Sequence, residues 1–214
     1  LETISDICQF IYNIQIDKPW IFTQYSIEIL FPFSLKVNLI GNKETDQKDK
    51  IFVISTKIIS NILNFNRIRI SNRNNLVNNL LCQYLDIACN TNMYGLSPDS
   101  TAALSRLIVS FCEPSNHASS NTGKNNRLSS NSNLLRKTVR KYIPVLLIKY
   151  VHLCISTKFE DQVRKEITPA VYAILDLISL NELNVINRVL DNAGRQYFKV
   201  MYSNYKKLGK WHES

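Results

Sequence analysis

The sequence predicts an all-α protein, either an irregular helical bundle or a HEAT/armadillo-like α-solenoid, of about eight helices. Three observations predict it. Apolar residues recur at three- and four-residue steps over most of the chain, which is the signature of one helix face. Only 5 glycines and 6 prolines occur in 214 residues, whereas turn-rich β proteins need more of both. Hydrophobic residues make up 45% and charged residues 20%, a balance that supplies a sizeable core. No clean internal sequence repeat is present, so a repeat architecture rests on helix succession alone.

The elements follow in order. Ile4, Ile7, Cys8, Ile11, Tyr12 and Ile14 form one apolar face, and Pro19 ends that helix or starts the next. The apolar stretch from Trp20 to Ile40 is interrupted by Pro32 and reads as a kinked or broken helix, with a strand as the alternative. Residues 41–50 are polar and charged and read as a surface loop. Ile51, Ile54, Ile58, Ile62 and Phe65 repeat at helical period. Residues 71–74 look like a helix start, continued by Leu76, Leu80, Leu81, Tyr84, Leu85 and Ala88. Tyr94-Gly95-Leu96 breaks it. Ser97 is a candidate N-cap with Pro98 at the first helical position, ahead of Leu104, Leu107, Ile108 and Phe111.

Glu113-Pro114 stops that helix. Residues 113–133 are almost entirely polar and are expected to be a flexible loop, because they bury too little apolar surface to offset their ordering entropy. The chain therefore divides into an N-terminal helical part (1–112), this loop, and a C-terminal helical part (134–214) packed with the first as one domain. In the last part three stripes stand out. Leu135, Val139, Tyr142, Ile143, Leu146, Tyr150 and Cys154 form the first. Val163, Ile167, Ala170, Val171, Ile174 and Leu175 form the second. Leu183, Ile186, Leu190, Tyr197, Met201, Tyr205 and Leu208 form the third. Pro144 and Pro169 are expected inside helices as kinks.

The chemistry of an enzyme is missing from the motifs. Of the three histidines, His117 falls in the polar loop, His212 at the end, and His152 between Val151 and Leu153, where a structural role is expected. There is no phosphate loop, no His-Glu-x-x-His zinc helix and no Gly-x-Ser-x-Gly elbow. Glu160-Asp161 reads as the acidic first turn of a helix. The chain is expected to be non-catalytic, with no cofactor, metal or small-molecule substrate. Five cysteines, an odd number at irregular spacing and with no Cys-x-x-Cys pair, read as reduced core residues of a reducing compartment. The N-terminus is acidic where a secretory signal is basic, and the purest apolar run, 143–148, is far short of a membrane span. Leu1 in place of Met suggests a piece of a longer protein.

The formal charge is +9, from 26 Lys and Arg against 17 Asp and Glu. Two explanations stand: an acidic partner such as RNA, or the Asn/Ile/Lys bias of an AT-rich coding sequence. The last segment gives the charge a shape. On a helix, Arg195, Lys199, Tyr202, Lys206 and Lys210 fall within a sector of roughly 80°. Such a stripe meets phosphates or an acidic protein surface, or it is only a solvated face. Tyr197, Met201, Tyr205 and Leu208 occupy the opposite, core-facing side. Trp211 follows the last cation and either packs on its own domain or anchors a partner.

The same segment carries a resemblance. The pattern Gly194-Arg195, Phe198-Lys199, Tyr202, Tyr205-Lys206, Gly209-Lys210-Trp211 resembles the C-terminal signature of the Urb2/Npa2 (unhealthy ribosome biogenesis) family. Two further blocks agree in order. The first is Leu104-Ser105-Arg106-Leu107 with Cys112-Glu113-Pro114. The second is Tyr142 to Leu147 with Tyr150-Val151, then Pro169, Tyr172-Ala173 and Leu175-Asp176. The resemblance covers roughly residues 95–214, and the first 90 residues share only helical character with it. It implies the C-terminal domain of a large nucleolar scaffold that acts early in large ribosomal subunit assembly and pre-rRNA processing. The partners it implies are other pre-ribosome assembly factors, namely a second large helical scaffold and a DEAD-box helicase complex. Arg195, Lys199, Tyr202, Lys206, Lys210 and Trp211 are the candidate contact residues, toward protein or pre-rRNA. A direct RNA-binding module and a helical-repeat adaptor outside ribosome assembly are the alternatives.

Overall fold

Helical periodicity decides the architecture. The structure is a computed structural model that describes residues 2–39, 45–90, 94–113, 125–157 and 160–208. Among the described residues there are ten α-helices, one short 3-10 turn and no strand. They are α1 (Glu2–Asp17), the 3-10 turn Pro19–Ile21, α2 (Gln24–Leu39), α3 (Thr45–Phe65), α4 (Asn74–Cys89), α5 (Pro98–Cys112), α6 (Asn125–Arg140), α7 (Ile143–Ser156), α8 (Asp161–Leu177), α9 (Leu180–Val189) and α10 (Asn192–Leu208). The all-α expectation holds. The excess over about eight helices comes from two stripes that each divide.

Both divisions have local causes. The stripe from Leu135 to Cys154 breaks at Lys141-Tyr142, so Pro144 does not kink a helix but sits in the first turn of α7. There its missing N–H has no helical partner to lose. The stripe from Leu183 to Leu208 breaks at Leu190-Asp191, where the Asp191 Oδ1 accepts the Gly194 N–H at 2.8 Å and starts α10. Pro32 and Pro169, by contrast, lie inside α2 and α8. Helix α2 continues past exposed Pro32 because Ile27, Leu30, Phe31, Ser34 and Val37 bury one side of it, which rules out the strand alternative. The expected loops also change. Residues 45–50 already belong to α3, and the stretch expected as loop to residue 133 is helical from Asn125 on. The interior of the α6 segment holds neither proline nor glycine. Residues 114–124 lie outside the described residues.

Gly95 takes φ +64°, the left-handed region that favours glycine, and turns the chain into α5. Ser97 precedes α5 as expected, but its hydroxyl does not cap the helix. Asp49 of α3 does that work: its Oδ1 accepts the Ser97 N–H at 2.9 Å and the Ser100 hydroxyl at 2.5 Å. A carboxylate at a helix start also meets the positive end of the helix dipole. The other end of α5 is held from the turn after α3. Arg67 donates from Nη1 to the Ser110 carbonyl at 3.0 Å and from Nη2 to the Phe111 carbonyl at 2.5 Å. Burial draws the Arg67 guanidinium down to about 10, so it stays charged at neutral pH. Replacing Arg67 with Met is expected to cost about 2–3 kcal/mol, since it strips two charge-assisted bonds from the end of a core helix. Urea denaturation of both proteins checks it.

Helix α5 is the centre of the fold. It packs most extensively on α8 and also on α3, α4 and α6. Helices α1 and α2 lie on α3, α4 pairs with α7, and α7 receives α9 and α10. One buried cluster runs from Cys8 through Phe52, Tyr84, Leu104, Phe111, Leu147 and Ile174 to Phe198. The five cysteines are free thiols, four buried and Cys154 half-buried. Burial pushes the Cys89 and Cys112 thiols up to about 12, so they behave as apolar core groups. His152 is exposed on α7 rather than packed. Among the described residues no single helix is long and apolar enough to cross a membrane, and no group of three His, Cys, Asp or Glu could hold a metal.

Candidate interaction site on the last helix

The last two helices set the geometry of the basic stripe. Helix α9 leaves α8 at 119°. Ser179 and Glu182 form a capping box that starts α9. Glu182 Oε2 accepts the Ser179 N–H at 2.9 Å, the Ser179 hydroxyl, and Arg140 Nη2 at 2.9 Å. Burial works against the Glu182 charge, but the bonds from Arg140 and Ser179 outweigh it and hold the carboxyl at about 2. A depressed folded pKa stabilises above the ordinary value, near 4.5, and that contribution is lost as pH falls from there toward 2. Allowing for solvent screening, Glu182→Gln is expected to cost about 1 kcal/mol at pH 7 and nothing near pH 2. Acid titration of the two proteins by circular dichroism checks it.

Helix α10 is anchored by its aromatic residues. Tyr197 meets Tyr150 and Cys154 of α7, and burial pushes its hydroxyl up to about 12. The Tyr205 hydroxyl donates to Asp176 of α8, and the Tyr205 ring stands edge-on to Tyr172 at 5.4 Å. Phe198 is the one large apolar side chain of α10 that is fully buried. Leu208, expected on the core side, is instead 58% exposed, because the last turn of α10 extends past the helices that cover it. At the start of α10, Gly194 sits where a Cβ would lie 2.9 Å from the Asp191 carboxylate and 3.1 Å from Leu190. A side chain there would crowd the Asp191 carboxylate that caps α10 and the Leu190 side chain, and both would have to shift.

The outer face of α10 carries the predicted residues. Arg195, Lys199 and Lys206 are exposed and Tyr202 is half-buried. Lys210 and Trp211 lie outside the described residues. Arg195 donates from Nε to the Leu190 carbonyl at 2.8 Å, which closes the end of α9. The Tyr202 ring lies nearly parallel to Phe198 and to Tyr205, each at 6.0 Å, and Lys206 Nζ sits 4.8 Å from its centroid. Helix α10 contains no Asp or Glu. Beside it lies an open groove of about 270 Å³, lined by Asn187, Arg195, Gln196, Phe198, Lys199 and Tyr202. The structure thus brings Arg195, Lys199 and Tyr202 together in one groove, with Lys206 above the ring. Sequence reasoning missed Phe198, Gln196 and Asn187. Phe198 was legible as the residue one turn before Tyr202. Asn187 comes from α9 across the break, and no local pattern could place it.

Among its described residues the chain is an all-α arrangement of ten helices, ending in a basic, aromatic helix. The comparisons assign it further. The Urb2/Npa2 family model matches residues 5–214, so this chain belongs to the Urb2/Npa2 family. The match extends the likeness from residue 95 back to residue 5, and brings helices α1 to α4 into the same family. Comparison with curated proteins and with solved structures gave no match. Family membership makes the chain a ribosome biogenesis factor, of a family not known for enzymatic activity.

Proposed function

We propose that this chain is a scaffold domain of a nucleolar factor that assembles early large-subunit precursors and supports pre-rRNA processing. The match to the Urb2/Npa2 family over nearly the whole chain carries this reading. The chain works by docking, through helix faces that the fold leaves uncovered, onto other assembly factors such as a second helical scaffold and a helicase complex. The buried cluster shared by residues before and after the Asn/Ser-rich stretch supports treating 1–112 and 134–214 as one domain. We place that domain at the C-terminal end of a longer protein, as the signature segment suggests.

Two surfaces support docking. One is the basic face of α10. The other is apolar and lies at the opposite end of the chain. Phe10, Trp20, Ile21, Tyr25 and Ile68 are each more than half exposed. Asn66 donates to the Pro19 carbonyl and Arg69 to the Trp20 carbonyl, both at 3.3 Å, so the turn bearing Ile68 is tied to the turn bearing Trp20 and Ile21. Exposed apolar clusters of this kind mark interaction surfaces. Imaging a tagged full-length protein tests the assignment. Nucleolar signal that follows large-subunit precursors on a density gradient is the expected result. Exclusion from the nucleolus would move the chain to a helical adaptor outside ribosome assembly.

A further inference from the structure

We infer that the groove between α9 and α10 binds single-stranded RNA, one phosphate seated between Arg195 and Lys199 and the adjoining base stacked on Tyr202. The inference rests on the ribosome-assembly reading and names the partner of its basic face. Four features of the groove point to this ligand. Its polar lining consists of a guanidinium, an ammonium, two carboxamides and a phenol, with no carboxylate. Arg195 spends only Nε on Leu190, and its two terminal nitrogens make no hydrogen bond or ion pair among the described residues. A guanidinium presenting both terminal nitrogens matches phosphate oxygens geometrically. Lys199 likewise forms no ion pair among the described residues.

The aromatic part distinguishes RNA from an acidic peptide. A carboxylate-bearing partner needs cations but makes no use of a π-face. Tyr202 is half-buried, is braced from behind by buried Phe198, and lines the groove. Tyr205 flanks the ring at 6.0 Å between centroids, and the Lys206 ammonium lies over it at 4.8 Å on a flexible stem that a base can displace. Base stacking is the stronger of the two contacts, and the displaced lysine becomes available to the next phosphate. Asn187 and Gln196 each offer a donor and an acceptor to a base edge. A single strand suits the site better than a duplex, whose bases are stacked inside and do not offer a face to Tyr202.

The test uses the whole chain and fluorescence anisotropy. The probes are a labelled unstructured RNA of about 12 nucleotides and a labelled RNA duplex of equal charge, with poly-glutamate as competitor. The single strand is expected to bind at about 50 mM salt and to weaken at least tenfold at about 200 mM. Lys199→Glu is expected to weaken it about tenfold. Tyr202→Leu is expected to weaken it roughly tenfold, whereas Tyr202→Phe keeps the ring and keeps binding. Circular dichroism shows that each variant is folded. No binding at low salt, equal affinity for strand and duplex, or identical affinity of Tyr202→Leu and the parent would each overturn the inference. Full displacement by poly-glutamate at equal charge would assign the groove to an acidic protein instead. The scaffold reading is judged separately. If the tagged full-length protein still sediments with large-subunit precursors while RNA binding is absent, the reading stands and the RNA inference alone falls.

Discussion

Phe111→Ala is expected to lower the unfolding free energy by about 3–5 kcal/mol, a large fraction of the stability of an ordinary domain. Phe111 is 0% exposed and belongs to α5, the helix that packs on α3, α4, α6 and α8. Truncation there removes transfer energy and leaves a cavity that neighbours on several helices cannot all close. The backbone of the same residue is tied down, since its carbonyl accepts Arg67 Nη2. That bond survives the substitution, so the loss reports packing alone. The check is urea denaturation: the midpoint should fall while the slope against urea stays constant. A loss below about 1 kcal/mol would mean that α5 is not the centre of the core.

The largest functional effect is expected from the double charge reversal Lys199→Glu with Lys206→Glu. Both side chains are exposed, and exposed substitutions usually move stability by no more than about 0.5 kcal/mol. The change in net charge is four units on one helix face, from two cations to two anions. Long-range attraction to an anionic partner turns into repulsion, which acts mainly on the rate of association and on its salt dependence. Recovery of pre-ribosomal particles with the tagged full-length protein is expected to fall about tenfold, while circular dichroism and melting stay those of the parent. Unchanged recovery would show that the stripe is a solvated face. Because Lys206 also covers the Tyr202 ring, the single variants separate the two contributions.

Much of this fold was legible without coordinates. The start of α5 follows from Pro98, whose ring fixes φ for a first helical turn, and the break from Gly95, which alone adopts the left-handed backbone there without strain. The apolar stripes marked the buried faces of α3, α4, α5 and α8 for the same reason: burial selects a period, and the period is visible. What was not legible depends on distant partners. Nothing near Ser97 reveals that Asp49 caps α5 in its place. The break before Pro144 was hidden because a proline in the first turn of a helix and a proline within one look alike in sequence. Leu208 keeps the period of the core face but runs beyond the helices that would bury it.

The site divides along the same line. Arg195, Lys199, Tyr202 and Lys206 are separated by three or four residues, so the helix itself brings them together. The groove is a tertiary feature. It exists because Asp191 starts α10 within two residues of the end of α9. Asn187 enters it only through that turn. The family likeness of the first 90 residues was equally invisible to motif reading, since helices α1 to α4 carry apolar periodicity without a distinctive local signature.

Crosslinking of the tagged full-length protein in growing cells, followed by mass spectrometry of the linked peptides, addresses the central claim most directly. The account predicts links from the α10 face, at Lys199 and Lys206, to pre-ribosomal protein or RNA. Links at those lysines confined to the chain itself, with pre-ribosomal material joined elsewhere or not at all, would contradict it.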